Sequence, residues 1–289
     1  MPSDTAPIPP YRLTLPTGRA CGLVVASPHS GSDYPPQMLA LSRLDRLTLR
    51  SSEDAFVEHL LQAAPTLGAP LIAARLPRAY VDLNRGSDEL DPALIEGLRG
   101  QRLNPRVAAG LGVIPRVVAA GRAIYAGKIS RAEAQARIDT VWRPYHARLA
   151  TLMAETYAAQ GVAILLDVHS MPHEVMASQT GRVPQIVLGD RFGGSAAPAV
   201  VAAIEAAFAA EGLRAARNTP FAGAYIAQAY GRPRFGRHVV QVEIDRALYM
   251  DESRIEPSAD FDAFAALMAR VLARIAPLGG ADALQLAAE

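Results

Sequence analysis

The sequence has little of what would connect it to secretion, a membrane or nucleic acid. Its single cysteine, Cys21, excludes an internal disulfide, and no basic segment followed by a long apolar one stands at its beginning. The longest apolar runs, such as 161–168, are far shorter than the roughly 20 residues that cross a bilayer. With 29 basic and 28 acidic residues, the net charge of +1 creates no field that attracts nucleic acid or an anionic membrane. We therefore expect a cytoplasmic protein that binds neither.

The chain does have enough apolar sequence for a large core, since 50% of its 289 residues are hydrophobic. Short β-branched runs predict buried strands at 22–27, 70–74, 161–168, 185–188 and 238–244. Helical periodicity occurs between them, at 53–67, 131–160, 196–211 and 260–275. This alternation predicts a three-layer α/β fold with a mostly parallel central sheet. We expect a flexible leader at residues 1–10 and a single domain over 11–289, although the length also allows two domains.

One long segment interrupts the alternation. Residues 86–127 contain Pro92, Pro105, Pro115 and several glycines, which favour irregular structure. We expect this segment to form a rim or lid over a binding site.

Two predicted strands end in a histidine among small polar residues. His29 follows the first strand, and His169 follows Asp167 at the end of another. Ligands of parallel α/β sheets bind beyond the carboxyl ends of the strands, so both imidazoles are candidate metal ligands. A lone histidine there is more often a turn residue, and it is the recurrence that favours a metal. Asp167 points to the same side as His169 and can orient that ring or form a buried ion pair.

A metal held by two histidines needs a third, usually anionic, ligand and an open position for water. Glu53 and Asp54 are the candidates, and we expect them in the first turn of a helix capped by Ser51 or Ser52. Acidic residues in a first turn also stabilise the helix dipole by roughly 0.3–1 kcal/mol without any metal. The spacing leaves both interpretations open.

Glu243 stands inside an otherwise apolar, Val-rich strand. An unpaired buried carboxylate is costly, so Glu243 must be paired, protonated or placed beside a water on a metal. A buried glutamate with a raised pKa is what a general base for water activation requires, and we favour that role. The alternative is a structural ion pair with an arginine such as Arg246.

Asn84 and Arg85 place an amide beside a guanidinium after a short apolar stretch. The planar guanidinium matches a carboxylate, and the amide adds a further donor. The pair predicts recognition of the acid end of an amino-acid-like substrate. Arg85 can instead tie down a loop, which is the commoner role of a single arginine.

Several segments, jointly and in this order, resemble the N-formylglutamate amidohydrolase family, metal-dependent hydrolases related to the zinc carboxypeptidases. They span nearly the whole chain and are SPHSG (27–31), EDAFVEHL (53–60), YVDLNR (80–85), WRPYHARL (142–149), LLDVHSMP (165–172), PFAGAYIAQAYGRP (220–233) and VQVEIDRALYMDE (240–252). The resemblance implies a zinc-carboxypeptidase-like α/β fold. It also implies a zinc ion held by His29, His169 and an acid at position 53 or 54, of which Asp54 fits the family pattern better. It further implies Glu243 as the base, and Asn84 with Arg85 as the substrate clamp.

The implied activity is hydrolysis of the amide bond in a small acidic N-acyl amino acid such as N-formylglutamate. Zinc is the expected cofactor, although Fe(II), Mn or Co suit the same ligands. An arginine or tyrosine within 225–237 is expected to help stabilise the oxyanion.

Two other functions fit parts of this sequence. The first is a small-molecule binding protein for an acidic ligand, with a structural metal site. The second uses Ser30 or Ser170 as a nucleophile, which is disfavoured because adjacent serine and histidine side chains seldom face one another. Of the remaining histidines, we expect His146 to be structural, whereas His173 stays open as a site residue because it lies close to His169.

Overall fold

The computed structural model describes residues 8–98, 104–177 and 183–279. Most of the predicted leader, residues 280–289 of the predicted domain and part of the predicted rim therefore lie outside the described residues. Within those ranges, no helix is long and apolar enough to cross a membrane.

A seven-stranded sheet, in the order β1-β3-β2-β4-β7-β5-β6, forms the centre of the molecule. Its strands are β1 (Tyr11–Thr14), β2 (Leu23–Ser27), β3 (Leu71–Ala74), β4 (Ala163–Met171), β5 (Ile186–Gly189), β6 (Ala215–Arg217) and β7 (Arg237–Asp245). Neighbours are parallel except for the β1/β3 and β5/β7 pairs. Two short strands, β8 (Met250–Asp251) and β9 (Glu256–Pro257), pair separately. The predicted α/β fold with a mostly parallel central sheet is confirmed.

Helices pack on both faces of this sheet, which makes three layers as predicted. They are α1 (Pro36–Leu41), α2 (Arg46–Arg50), α3 (Val57–Leu60), α4 (Pro105–Ala108), α5 (Arg131–Arg137), α6 (Arg143–Gln160), α7 (His173–Ala177), α8 (Pro198–Ala210), α9 (Tyr225–Tyr230) and α10 (Phe261–Ile275). Apolar residues of α3, α8 and α10 form the core on one face. Those of α1, α2, α5, α6 and α9 form the core on the other face.

Alternation along the two central strands positions the site. In β4 and β7, residues such as Val168 and Val242 point into the core beside α8 and α10. The alternate residues begin as core on the opposite face and become polar toward the carboxyl end of each strand, at Asp167, His169, Gln241 and Glu243. The parallel register brings these polar groups together, since His169 is directly opposite Glu243 and Asp167 opposite Gln241.

The predicted helix over 53–67 is wrong in extent. Only α3 is α-helical there, followed by a 3-10 turn at Pro65–Leu67. The reason is local: Phe56, which precedes α3, has a left-handed φ of 65°, and this conformation prevents the helix from starting at residue 53. Ser51 is instead the C-cap of α2, and neither Ser51 nor Ser52 caps a helix that carries Glu53 and Asp54.

The predicted helix over 131–160 forms, but with a defect. A π-helical segment, Ile138–Trp142, separates α5 from α6. Such segments are wide turns that often mark functional regions, and this one places the side chain of Trp142 beneath the loop that carries Asn84 and Arg85.

Candidate metal centre and active-site cavity

The carboxyl ends of β2, β4 and β7 open into a cavity of about 640 Å³. The polar residues at the ends of these strands line its floor. The segment 86–127 contributes one wall through residues that include Arg106, Leu111 and Pro115, so its described part forms a rim as predicted.

Three buried ligand atoms converge on this floor. The Nδ1 atoms of His29 and His169 are 3.0 Å apart, and Oδ2 of Asp54 lies 3.4 Å and 3.0 Å from them. All three side chains are at most 2% exposed. Among the described residues, these three are the group of His, Cys, Asp and Glu side chains that can hold a metal ion.

The opposite nitrogen of each ring faces a carboxylate. Nε2 of His29 lies 2.7 Å from Oδ1 of Asp82, and Nε2 of His169 lies 3.2 Å from Oδ2 of Asp167. A carboxylate only accepts, so the proton that Asp82 and Asp167 can hold is the one assigned to Nε2 of each ring, and this assignment directs the Nδ1 lone pairs at the centre. The Asp167 carboxylate is fully buried, its contact with His169 is at ion-pair distance, and neither of its oxygens meets hydrogen-bond geometry within the described chain.

This arrangement fits a divalent cation. With both protons on Nε2, three acceptor atoms face one another with no hydrogen between them, and such an arrangement repels itself unless a cation lies between the atoms. Tetrahedral zinc with bonds of about 2.0–2.1 Å holds its ligands about 3.3 Å apart, close to the separations found here. The donor set of two imidazoles and one carboxylate is also one that zinc prefers.

Arg246 fixes the orientation of the carboxylate ligand. Its guanidinium donates to Oδ1 of Asp54 at 3.2 Å and to the backbone oxygen of Glu53 at 2.7 Å, which leaves Oδ2 of Asp54 for the centre. Glu53 itself points away, because its carboxylate accepts from Tyr34 at 2.7 Å and from Arg50 at 3.0 Å. The geometry thus brings Asp54, and not Glu53, to the two histidines.

Glu243 lies on the same floor but outside the group of three. Its partner is Gln241, whose side-chain amide donates to Oε1 of Glu243 at 2.8 Å. Among the described residues Glu243 makes no ion pair with Arg246, which is bound to Asp54 instead. Burial raises the pKa of Glu243 to about 7.

Arg85 lines the cavity and is 8% exposed. Its guanidinium donates to the backbone oxygens of Leu111 and Asn84, at 3.0 Å and 2.7 Å, and forms no ion pair within the described residues. A buried cation without an anionic partner is costly, and an anionic ligand in the cavity would relieve that cost. The neighbouring Asn84 is 2% exposed, and both ends of its amide are hydrogen-bonded within the protein, while its Nδ2 atom also lies 3.2 Å from Nε2 of His169.

Some residues of this site were missed by sequence reasoning. Arg78 lines the cavity and donates to Asp82 at 2.9 Å, and nothing in its local sequence marks it. Asp82 is two residues before Asn84, and Gln241 is two residues before Glu243. Side chains two positions apart in an extended chain point to the same side, so this alternation could have identified both residues as part of the site.

Two other histidines lie outside the metal group. His146 is buried, with Nε2 2.9 Å from the backbone oxygen of Leu83 and Nδ1 2.9 Å from the Tyr230 hydroxyl. This is the structural placement that we expected. His173 is exposed beside Asp245, at 2.8 Å, and does not line the cavity.

Comparison with known proteins gives concordant matches. Residues 21–250 match the family model described as N-formylglutamate amidohydrolase. The chain is similar to an N-formylglutamate deformylase of Pseudomonas aeruginosa, with 34% identity covering 80% of this chain and 82% of the relative. An N-formylglutamate deformylase of Pseudomonas putida is 29% identical over the same shares.

A solved structure also matches. The N-formylglutamate amidohydrolase of Ralstonia eutropha JMP134 has a TM-score of 0.88 and 37% identity, over 94% of this chain and 99% of that chain.

Proposed function

Since the chain belongs to the N-formylglutamate amidohydrolase family and is an amidohydrolase acting on a C–N bond other than a peptide bond, we propose that it hydrolyses N-formylglutamate or a close N-acyl analogue in a metal-dependent reaction. The products are formate and the free amino acid. The observation that carries the metal dependence is the convergence of three buried acceptor atoms from His29, Asp54 and His169.

The arginines of the cavity support an acidic substrate. The charge of Arg78 is already paired with Asp82, but Arg85 and Arg106 form no ion pair within the described part of the chain. N-formylglutamate carries two carboxylates, which matches the number of these two cavity arginines without an ion pair among the described residues. Since the net charge of the whole protein is only +1, this anion selectivity is local to the cavity.

In the proposed reaction, a bound divalent cation would supply Lewis acidity to the formyl carbonyl and to the attacking water. Glu243 accepts a proton from that water and delivers it to the nitrogen of the leaving amine, whose bond to the formyl carbon breaks. Arg85 binds a substrate carboxylate and holds the amide over the floor of the cavity. Asp82, Asp167 and Arg246 keep the three ligand atoms aimed at one point.

Two measurements on the purified protein test this function. Elemental analysis is expected to give one divalent metal ion per chain, zinc being the first candidate. Formate release is expected to be faster for N-formyl-L-glutamate than for N-formyl-L-glutamine, by about 10- to 100-fold in kcat/KM, because the amide removes one charge-assisted contact. Protein without bound metal that releases formate at the full rate would contradict the metal-dependent mechanism, and equal rates on both substrates would contradict recognition of two carboxylates.

A further inference from the structure

A chain of buried side-chain amides ends on Glu243. Gln241, two residues earlier on the same face of β7, donates from Nε2 to Oε1 of Glu243 at 2.8 Å. The Oε1 atom of Gln241 accepts from Nδ2 of Asn84 at 3.1 Å and from the backbone N–H of Ala224 at 3.0 Å. The Oδ1 atom of Asn84 accepts from the backbone N–H of Ile226 at 2.8 Å. The two amides thus link the start of α9 to the carboxylate.

The direction of both amides is fixed by the backbone. A backbone N–H can only donate, so the atoms that face Ala224 and Ile226 must be the amide oxygens. The NH2 groups of Asn84 and Gln241 therefore both point along the chain toward Glu243. Hydrogen bonds aligned in this way polarise and strengthen one another.

The consequence for Glu243 is an asymmetric carboxylate. Oε1 is held by Gln241, whereas Oε2 has no hydrogen-bond partner among the described residues, and the side chain lines the cavity. Asn84, Gln241 and Glu243 are 2%, 5% and 7% exposed, so water competes little for the held oxygen.

We propose that Gln241 is a positioning residue that aims Oε2 of Glu243 at the attacking water, and that Asn84 locks Gln241 in place. The inference rests on the proposed function, in which Glu243 is the base. It also changes the role expected for Asn84: both ends of its amide are engaged, so it acts on the base and not on the substrate carboxylate.

The first test is Gln241→Glu, which has nearly the same shape. One carboxylate oxygen still accepts from Asn84 and Ala224, but the other turns toward Glu243 without a hydrogen. We expect kcat to fall by about 10²-fold with KM and metal content unchanged, as for a misplaced reacting group. The acid limb of the kcat–pH profile is expected to move to higher pH by about one unit, because a like charge makes Glu243 harder to ionise.

Gln228→Glu is the matched control. It makes the same chemical change on the exposed face of α9, and its side chain is not part of the site. We expect wild-type kinetics. If Gln241→Glu fails to fold, Gln241→Met removes the donor without adding charge and is expected to give a smaller loss of kcat in the same direction. Wild-type kcat and an unmoved acid limb in a folded Gln241 variant would overturn the proposal.

Asn84→Asp separates the two roles of Asn84. It keeps the acceptor for Ile226 but cannot donate to Gln241, so the positioning role predicts a loss in kcat with KM unchanged. Metal content is expected to stay the same, and it is measured because Nδ2 of Asn84 also lies 3.2 Å from Nε2 of His169. A raised KM with unchanged kcat would return Asn84 to the substrate clamp and overturn its place in the chain of amides.

A double-mutant cycle distinguishes failure of this inference from failure of the proposed function. If Gln241 acts through Glu243, Gln241→Glu is expected to cost nothing further in the Glu243→Gln background. Additive losses would overturn the positioning role while leaving Glu243 as the base. Near-normal kcat in Glu243→Gln alone would instead show that the base is another group, and the positioning role would fall with it.

Discussion

The two faces of the central strands β4 and β7 differ in a way that explains how one fold carries both stability and chemistry. On the face toward α8 and α10, the alternate residues through the middle of the strands are apolar, as in Ile164, Leu166 and Val168. On the other face, apolar residues such as Leu165 are followed by the polar residues Asp167 and His169. Residues that are neighbours in sequence therefore serve separate functions, and substitutions at neighbouring positions are expected to have separable effects.

The largest expected contrast is between His169→Ala and Val168→Ala. His169→Ala removes one of the three converging ligand atoms. Loss of a residue that only orients a ligand lowers metal affinity by roughly 10- to 100-fold, and loss of the ligand itself is expected to lower it further. Activity is expected to fall to background. Val168→Ala leaves a cavity in the opposite core and is expected to lower the free energy of unfolding by about 2 kcal/mol, with metal content unchanged. Metal analysis and denaturant unfolding check both, and His29→Ala should behave like His169→Ala. A stoichiometric metal ion in the histidine variants would eliminate the proposed site.

The next contrast is between Glu243→Gln and Val242→Ala on β7. Glutamine keeps the shape of Glu243 but cannot accept a proton from water, so kcat is expected to fall by about 10²- to 10⁴-fold while the metal stays bound. Val242→Ala is expected to destabilise the protein without changing kcat. If Glu243→Gln loses the metal, then Glu243 is a ligand and the assignment of Asp54 must be revised.

The contrast between the faces also shows how far the sequence could predict the structure. The buried strands were predictable because β-branched runs such as 238–244 end in polar residues, and a polar residue inside such a run, as at Glu243, indicates a site. Periodicity could not predict the interruption before α3, because the left-handed conformation of Phe56 depends on packing and not on local propensity.

Contacts between residues that are distant in sequence could not be predicted either. Closeness in sequence suggests Arg246 as an ion-pair partner of Glu243, but in the structure its guanidinium donates to Asp54, 192 positions away. The choice between Glu53 and Asp54 was open for the same reason, since only the tertiary contacts of Glu53 with Tyr34 and Arg50 direct it away from the centre.

A smaller effect, on KM, is expected for Arg85, which lines the cavity. Arg85→Lys keeps the charge but loses the planar fork, so KM for N-formyl-L-glutamate is expected to rise by about 10- to 100-fold with kcat little changed. Arg116→Lys is a suitable control, because Arg116 is paired with Asp91 and is not part of the cavity lining. An unchanged KM in Arg85→Lys would give Arg85 the structural role of tying down the loop at Leu111.

The smallest effect concerns His146, a buried histidine outside the metal group, and it appears only below neutral pH. Carboxylates outweigh the cost of burial and raise the pKa of His169, whereas burial lowers the pKa of His146 to about 4. An unfolded histidine binds its proton at about pH 6.5, so between pH 6.5 and 4 the unfolded state binds more protons at His146 and the folded state loses stability as the pH falls. The expected loss is about 2 kcal/mol at pH 5.

The comparison that isolates this loss is wild type against His146→Gln, which keeps a donor for the backbone oxygen of Leu83 but does not titrate in this range. Denaturant unfolding at pH 7 and pH 5 is expected to show a smaller pH-dependent loss in the variant. The difference between the two proteins is the quantity to measure, because Glu243, with its pKa raised to about 7, acts in the opposite sense over the same pH range when no cation is bound. Equal losses in both proteins would mean that His146 is protonated in the folded state, and its hydrogen bonds to Leu83 and Tyr230 would then need a different assignment of protons.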